Sequence, residues 1–281
     1  MNVSNKTSLL GKLSLVFGFG FLYLPILILM FYSFNESRLV TVWAGFSFKW
    51  YGELFRDAQM MNAAWMSVKI AFWSAWGAVI LGIMAGLVMV RFGNFRGKTL
   101  FAGMITAPLV MPEVITGLSL LLLFVTMSDL LGWPEGRGML TIWIAHVTFC
   151  TAYVAVVITS RLRDMDDSLE EAAMDLGATP LKTFFVITLP IIAPAIISGW
   201  LLAFTLSFDD LVIASFVSGP SSTTLPMEVF SSVRRGVSPK INALATLMVL
   251  VVTIGVVAAW WVARREEKKR IIEEQMAAAE G

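Results

Sequence analysis

Residues able to do chemistry are few in this chain, and most of them are acidic. Glu113 stands beside Pro112 in one apolar stretch, and Asp209 and Asp210 follow Ser207 and Phe208 in another. There is one histidine, His146, and one cysteine, Cys150, among 281 residues. A single residue of each kind cannot build a zinc or iron-sulfur centre, and one thiol cannot close an internal disulfide. No nucleophile stands with a base, so neither a catalytic nor a metal-binding residue is expected. The segment Gly93-Asn94-Phe95-Arg96-Gly97-Lys98-Thr99 imitates a phosphate-binding loop. It has three residues between its glycines where the nucleotide motif requires four, and no strand precedes it, so it reads as a basic turn.

The acidic residues matter because of the solvent around them. Hydrophobic residues make up 57% of the chain and charged ones 15%, and the mean hydropathy is +0.77, outside the range of soluble domains. The composition places the chain in a bilayer. A net charge of +1 and a pI near 7.8 leave no concentrated basic face, which argues against a nucleic-acid partner.

Six apolar runs are long enough to cross about 30 Å of hydrocarbon. They lie near residues 13–34, 67–90, 100–127, 140–160, 189–217 and 242–263. The first is too long for the core of a signal peptide and lacks a small-residue cleavage site, so it is expected to be a retained helix. Residues 1–12 then form an N-terminal segment, 13–263 a six-helix transmembrane domain, and 264–281 a charged tail. Thirteen Lys and Arg residues fall on the side of both termini and seven on the other, which predicts a cytoplasmic N- and C-terminus. Arg91, Arg96 and Lys98 weigh most in the second connection.

Two runs are predicted to bend or break. The third holds Pro108 and Pro112, and the fifth holds Pro190 and Pro194 before it reaches Ser207 to Asp210. A straight rise of about 1.5 Å per residue puts Glu113 roughly 20 Å beyond the cytoplasmic start of its helix. Gly82 and Gly86, four residues apart, suit close helix packing.

Between the fourth and fifth runs lies a cytoplasmic connection whose sequence describes a helix, a corner and a second helix. Ser168 with Glu171 three residues on reads as a capping box opening a helix over 169–176. Gly177 can supply a left-handed turn, and Thr179 with Pro180 can begin the next helix. The order Glu171-Ala172-Ala173, then Gly177, then Ile187, Leu189 and Pro190 resembles the EAA loop of ABC importer permeases without a gap. What the resemblance implies is an all-α type I permease fold in a bacterial inner membrane, with a coupling helix within 161–190 that seats in an ATPase. Glu170 to Ala173, Gly177, Ile187, Leu189 and Pro190 would then make or shape that contact. No cofactor is expected in this chain, ATP and magnesium being held by the partner.

At membrane depth, Glu113, Asp209 and Asp210 are default functional residues, and fixed negative charge there favours a cation. Phe208 can add cation-π attraction. A second reading stays open for each: the aspartates cap a helix or pair with a neighbour, and Glu113 is structural. His146 reads as an interhelical hydrogen bonder and Cys150 as a small buried residue. The stretches 106–117, 207–219 and 224–226 are similar to the polyamine branch of these permeases, putrescine carriers above all. That likeness implies a second, non-identical permease, an ATPase dimer, a periplasmic binding protein, surrounding lipid and a polyamine substrate. Another solute, such as spermidine, ferric iron or thiamine, and a stand-alone secondary transporter are the alternatives.

Overall fold

The computed structural model describes residues 9–39, 42–236 and 238–255, together with Val257, Trp261 and Arg264. The tail beyond Arg264 and the first eight residues lie outside the described residues. Among the described residues, secondary structure is helical apart from one isolated bridge between Asn35 and Phe46. That is what lipid requires, since an uncovered backbone N–H or C=O in hydrocarbon costs several kcal/mol and a helix satisfies them internally.

The chain divides into two units, residues 59–231 and the segments on either side of them. In the flanking unit, α1 (Leu9–Tyr32) keeps its apolar side chains exposed along its length. The segment after it folds around Asn35. Its Oδ1 accepts the Ala44 N–H at 2.9 Å, its Nδ2 donates to the Val42 carbonyl at 2.7 Å, and its own carbonyl receives the Trp50 indole N–H at 2.6 Å. Trp50, in the first turn of the short helix α2 (Lys49–Arg56), is buried and forms the core of this loop.

In the central unit, α3 (Ala58–Arg91), α6 (Met139–Arg163) and α9 (Leu189–Phe208) enclose the core, with α6 the most buried. The spacing of glycines explains how closely they pack. A Cβ on Gly82 would lie 2.7 Å from Val154 Cγ1, and one on Gly86 would lie 2.9 Å from Ile158 Cγ2. From the other side, Gly199 of α9 would bring a Cβ within 3.2 Å of the same Val154. Val154 is thus a knob between two glycine hollows, the close packing that small residues permit in membranes.

Both expected breaks are present. The third run is divided into α4 (Lys98–Val110) and α5 (Glu113–Leu131), because Pro112 lacks an N–H and forces Met111 into an extended conformation with ψ 135°. Glu113 therefore opens a new helix, and a depth taken from a single straight rise does not apply to it. The fifth run ends at Phe208 and resumes as α10 (Val212–Val217). Five described helices are long and apolar enough to cross a membrane: 10–32, 58–91, 113–131, 139–163 and 180–208. For the sixth expected span, the structure describes the apolar helix Pro239–Gly255, shorter than a crossing, and the remainder falls mostly on undescribed residues. The false phosphate loop is a turn in which Lys98 Nζ folds back to the Gly93 carbonyl at 2.6 Å.

Candidate functional site

Helix α7 (Ser168–Asp175) carries the sequence that the motif singled out. It begins differently from the capping box expected. Asp166 Oδ1 accepts the Ser168 N–H at 3.0 Å, and no side chain caps from Ser168 or Glu171. An ionised carboxylate is the stronger acceptor, and Asp166 lies only two residues before Ser168. The backbone and hydroxyl of Ser168, both bonding to it, hold the Asp166 carboxyl below its ordinary range.

The corner after α7 is a complete Schellman motif. Gly177 has φ +84°, its N–H donates to Met174 O at 2.9 Å, and Ala178 N–H reaches back to Ala173 O at 3.0 Å. Thr179 Oγ1 then receives the Lys182 N–H, and Pro180 takes the first position of α8 (Pro180–Thr183). From Phe184 to Thr188 the chain widens into a π-helix, closed by Leu189 N–H bonding to Phe184 O. The cause is Pro190: its ring cannot donate and crowds the carbonyl four residues back, and one wider turn relieves both. Ile187 and Leu189 are half-buried around it, while Pro190 faces outward.

Two adjacent glutamates take opposite roles here. Glu170 turns inward, pairing with Arg91 Nε at 3.1 Å and accepting the Thr188 hydroxyl. Arg91, at the end of α3, also pairs with Asp167. Glu171 and Ala172 are exposed, and so are Leu176, Leu181 and Gly177. The exposed tip is apolar and small, a shape suited to a partner's groove. Behind it an apolar groove of about 920 Å³ runs between α3 and α8, lined by Met84, Leu87, Phe92, Met174, Leu181 and Phe185.

At the other candidate location the aspartates also divide. Asp210 is buried: its Oδ1 accepts Ile213 N–H at 3.2 Å and its Oδ2 accepts Ala214 N–H at 2.7 Å and lies 3.1 Å from His146 Nε2. It heads α10 and carries out the capping that the alternative reading described. Asp209 ends α9, where its N–H donates to Thr205 O at 3.1 Å, and its side chain is exposed. Phe208 is half-buried and stacks on Phe204 with centroids 5.9 Å apart, and Phe204 stacks on Trp200 at 5.4 Å. This ladder at i, i+4 and i+8 was visible as a helical spacing, though only its last member was singled out. Glu113 is exposed at the first position of α5, where a carboxylate also complements the helix dipole. Cys150 Sγ lies 3.5 Å from Ala203 O in the interior. Another buried carboxylate, Glu228 in α11 (Leu225–Arg235), receives Gln59 Nε2 at 2.7 Å and has no sequence signature.

Comparison with known proteins gives this geometry a family. The chain is 73% identical to the putrescine transport system permease protein PotI of Escherichia coli (strain K12), over 83% of both chains. It is 44% identical to the spermidine/putrescine transport system permease protein PotC of Haemophilus influenzae, over 83% of this chain and 88% of that one. Among solved structures, a bacterial ABC transporter involved in the import of alginate matches 91% of this chain and 94% of its own, with TM-score 0.66 at 16% identity. The inward-facing MetNI methionine ABC transporter matches 71% and 92%, with TM-score 0.57 at 14% identity. These structural likenesses are of fold alone, and the fold is that of ABC transporter permeases. The model of the family described as binding-protein-dependent transport system inner membrane component matches residues 78–271, and the chain belongs to that family of multi-pass, non-catalytic permease subunits.

Proposed function

We propose that this protein is one of two non-identical permease subunits of a putrescine importer of the bacterial inner membrane, driven by a separate ATPase dimer and supplied by a periplasmic binding protein. The observation that carries the reading is the 73% identity to a relative named as a putrescine permease. In this reading the chain crosses the membrane six times with both termini in the cytoplasm, the third crossing being broken at Pro112. The excess of Lys and Arg on that side supports the orientation.

The tip from Glu171 to Gly177 seats in the ATPase, which holds ATP and magnesium, while this chain holds no cofactor. Closure of the ATPase dimer pushes on α7. Glu170 carries that push to the end of α3 through Arg91 and to the fifth span through Thr188. The membrane helices then exchange outward and inward openings around the solute. Asp209 and Glu113 offer exposed negative charge to a diamine dication, with Phe208 beside them. Asp210 acts one step back, as the cap that fixes Asp209.

Radiolabelled putrescine uptake tests this in proteoliposomes holding both permeases, the ATPase and the binding protein. ATP-dependent uptake that resists excess spermidine is the expected result. Strong spermidine competition favours the second reading, a broader polyamine importer, which the relatives named for both amines support. No uptake of either amine overturns the assignment of solute.

A further inference from the structure

His146 is the only histidine in the chain and is 1% exposed on α6. Both ring nitrogens are engaged: Nδ1 lies 2.7 Å from Ser207 Oγ and Nε2 lies 3.1 Å from Asp210 Oδ2. Nε2 thus faces the Asp210 carboxylate, which accepts when ionised, and Nδ1 faces the Ser207 hydroxyl. The same carboxylate receives the N–H groups of Ile213 and Ala214. One imidazole therefore grips both sides of the break: Ser207 in the last turn of α9 and Asp210 at the head of α10. Between the two gripped residues stand Phe208, half-buried against Phe204, and Asp209, which is exposed.

Nothing covalent fixes the angle of this break. No proline lies in Ser207-Phe208-Asp209-Asp210-Leu211, so no ring locks φ at the break. The angle is set by what the side chains hold. The arrangement resembles a hydrolytic triad in composition, yet Ser207 is 4% exposed, so no substrate can reach its hydroxyl.

We infer that His146 is a positioning residue for the solute, clasping Ser207 and Asp210 so that Asp209 and Phe208 are presented at a fixed place on the translocation path. The inference rests on the reading that Asp209 meets the solute. Its role can be separated from folding, because α6 and α9 are held elsewhere too. Cys150 meets Ala203 one turn along, and Val154 fills the hollow at Gly199 one turn further.

The test compares His146→Ala, His146→Gln and Asp209→Asn in the complete reconstituted transporter, reading putrescine KM, maximal uptake and basal ATP hydrolysis separately. His146→Ala should raise the KM by about tenfold, the scale of one misplaced charged contact, with basal ATP hydrolysis unchanged. His146→Gln, whose amide can still donate to Asp210, should recover part of that loss. A wild-type KM in His146→Ala, with less protein or a lower melting temperature, makes His146 structural only and overturns the inference. If His146→Ala does not assemble, His146→Gln decides: a raised KM supports positioning and a wild-type KM overturns it. A wild-type KM in Asp209→Asn removes the underlying reading itself, whereas a raised KM there with a normal His146→Ala overturns only the role of His146.

Discussion

Two polar clusters hold this protein's helix ends together, and they are built for different duties. At the end of α3, Arg91 meets Asp167 and Glu170, and Glu170 meets Thr188. Within α6, His146 meets Ser207 and Asp210. The Arg91 cluster reaches water through Asp167, 68% exposed, while Arg91 and Glu170 are 20% and 17% exposed; His146 and Asp210 have side chains only 1% and 5% exposed. Exposed ion pairs contribute up to about 1 kcal/mol and are screened by salt. Removing one partner of a buried hydrogen bond costs roughly 1–3 kcal/mol for each group left unpaired, because no water replaces the lost bond. On the proposed function, the difference suits a segment that yields as an ATPase closes and a solute-facing break that does not.

The largest expected effect comes from attacking the buried cluster. Asp210→Ala strands the His146 N–H and two backbone N–H groups at once, and should lower stability by roughly 3 kcal/mol or more. At roughly 2–4 °C per kcal/mol for a chain of this size, the melting temperature in detergent should fall by about 10 °C. Asp209→Ala should leave it within a degree or two while reducing putrescine uptake. Equal melting temperatures for the two variants would mean that the buried cluster is not the firmer one.

Next is the tip of the coupling segment. Gly177 has open space around the position of a Cβ, and its φ of +84° is one that aspartate tolerates better than most residues. Gly177→Asp should therefore remain in the membrane, with a local cost of about 1 kcal/mol, yet release the ATPase on co-purification. Normal ATPase retention and uptake would disconnect this corner from coupling.

How much of each cluster could be read in advance follows from the range of its interactions. The Schellman corner at Gly177, the cap at Thr179 and the interruption at Pro112 are written in neighbouring residues, and the chain folds accordingly. The π-helix before Pro190 was not legible, since whether a proline kinks, widens or starts a helix depends on how its neighbours pack. Nor could one tell which aspartate would be inward. Asp209 and Asp210 are identical in type, and only His146, 64 residues away, separates them. Glu170 and Glu171 pose the same problem, resolved by Arg91 and Thr188. The capping box failed for a local reason: Ser168 and Glu171 have the right spacing, but Asp166 offers a charged acceptor to the same turn.

A milder change probes the less buried cluster. Glu170→Gln keeps the shape and a hydrogen bond to Thr188 but removes one of the two negative charges on Arg91. The expected loss of stability is up to about 1 kcal/mol, smaller in 0.5 M salt than at low salt. The sharper readout is coupling: putrescine transported per ATP hydrolysed should fall while basal hydrolysis persists. If the effect on stability is the same at both salt concentrations, the Arg91 pair is behaving as a buried one and the contrast between the clusters disappears.

The smallest effect is expected at Asp166, where the cap also gives a pH test. Its carboxyl lies below the ordinary value of 3.8 because the ionised form receives the Ser168 N–H. A lowered folded pKa contributes stability that is fully present above the unfolded value and is lost as pH falls through the folded one. At pH 7, Asp166→Ala should speed hydrogen exchange at the first amides of α7 without altering the melting temperature of the whole protein. As pH falls below 3.8, the wild type loses the same cap and the two proteins should converge. A difference that persists unchanged into that acidic range would show that the start of α7 is held by contacts other than this carboxylate, the Arg91 pair with Asp167 being the first to examine.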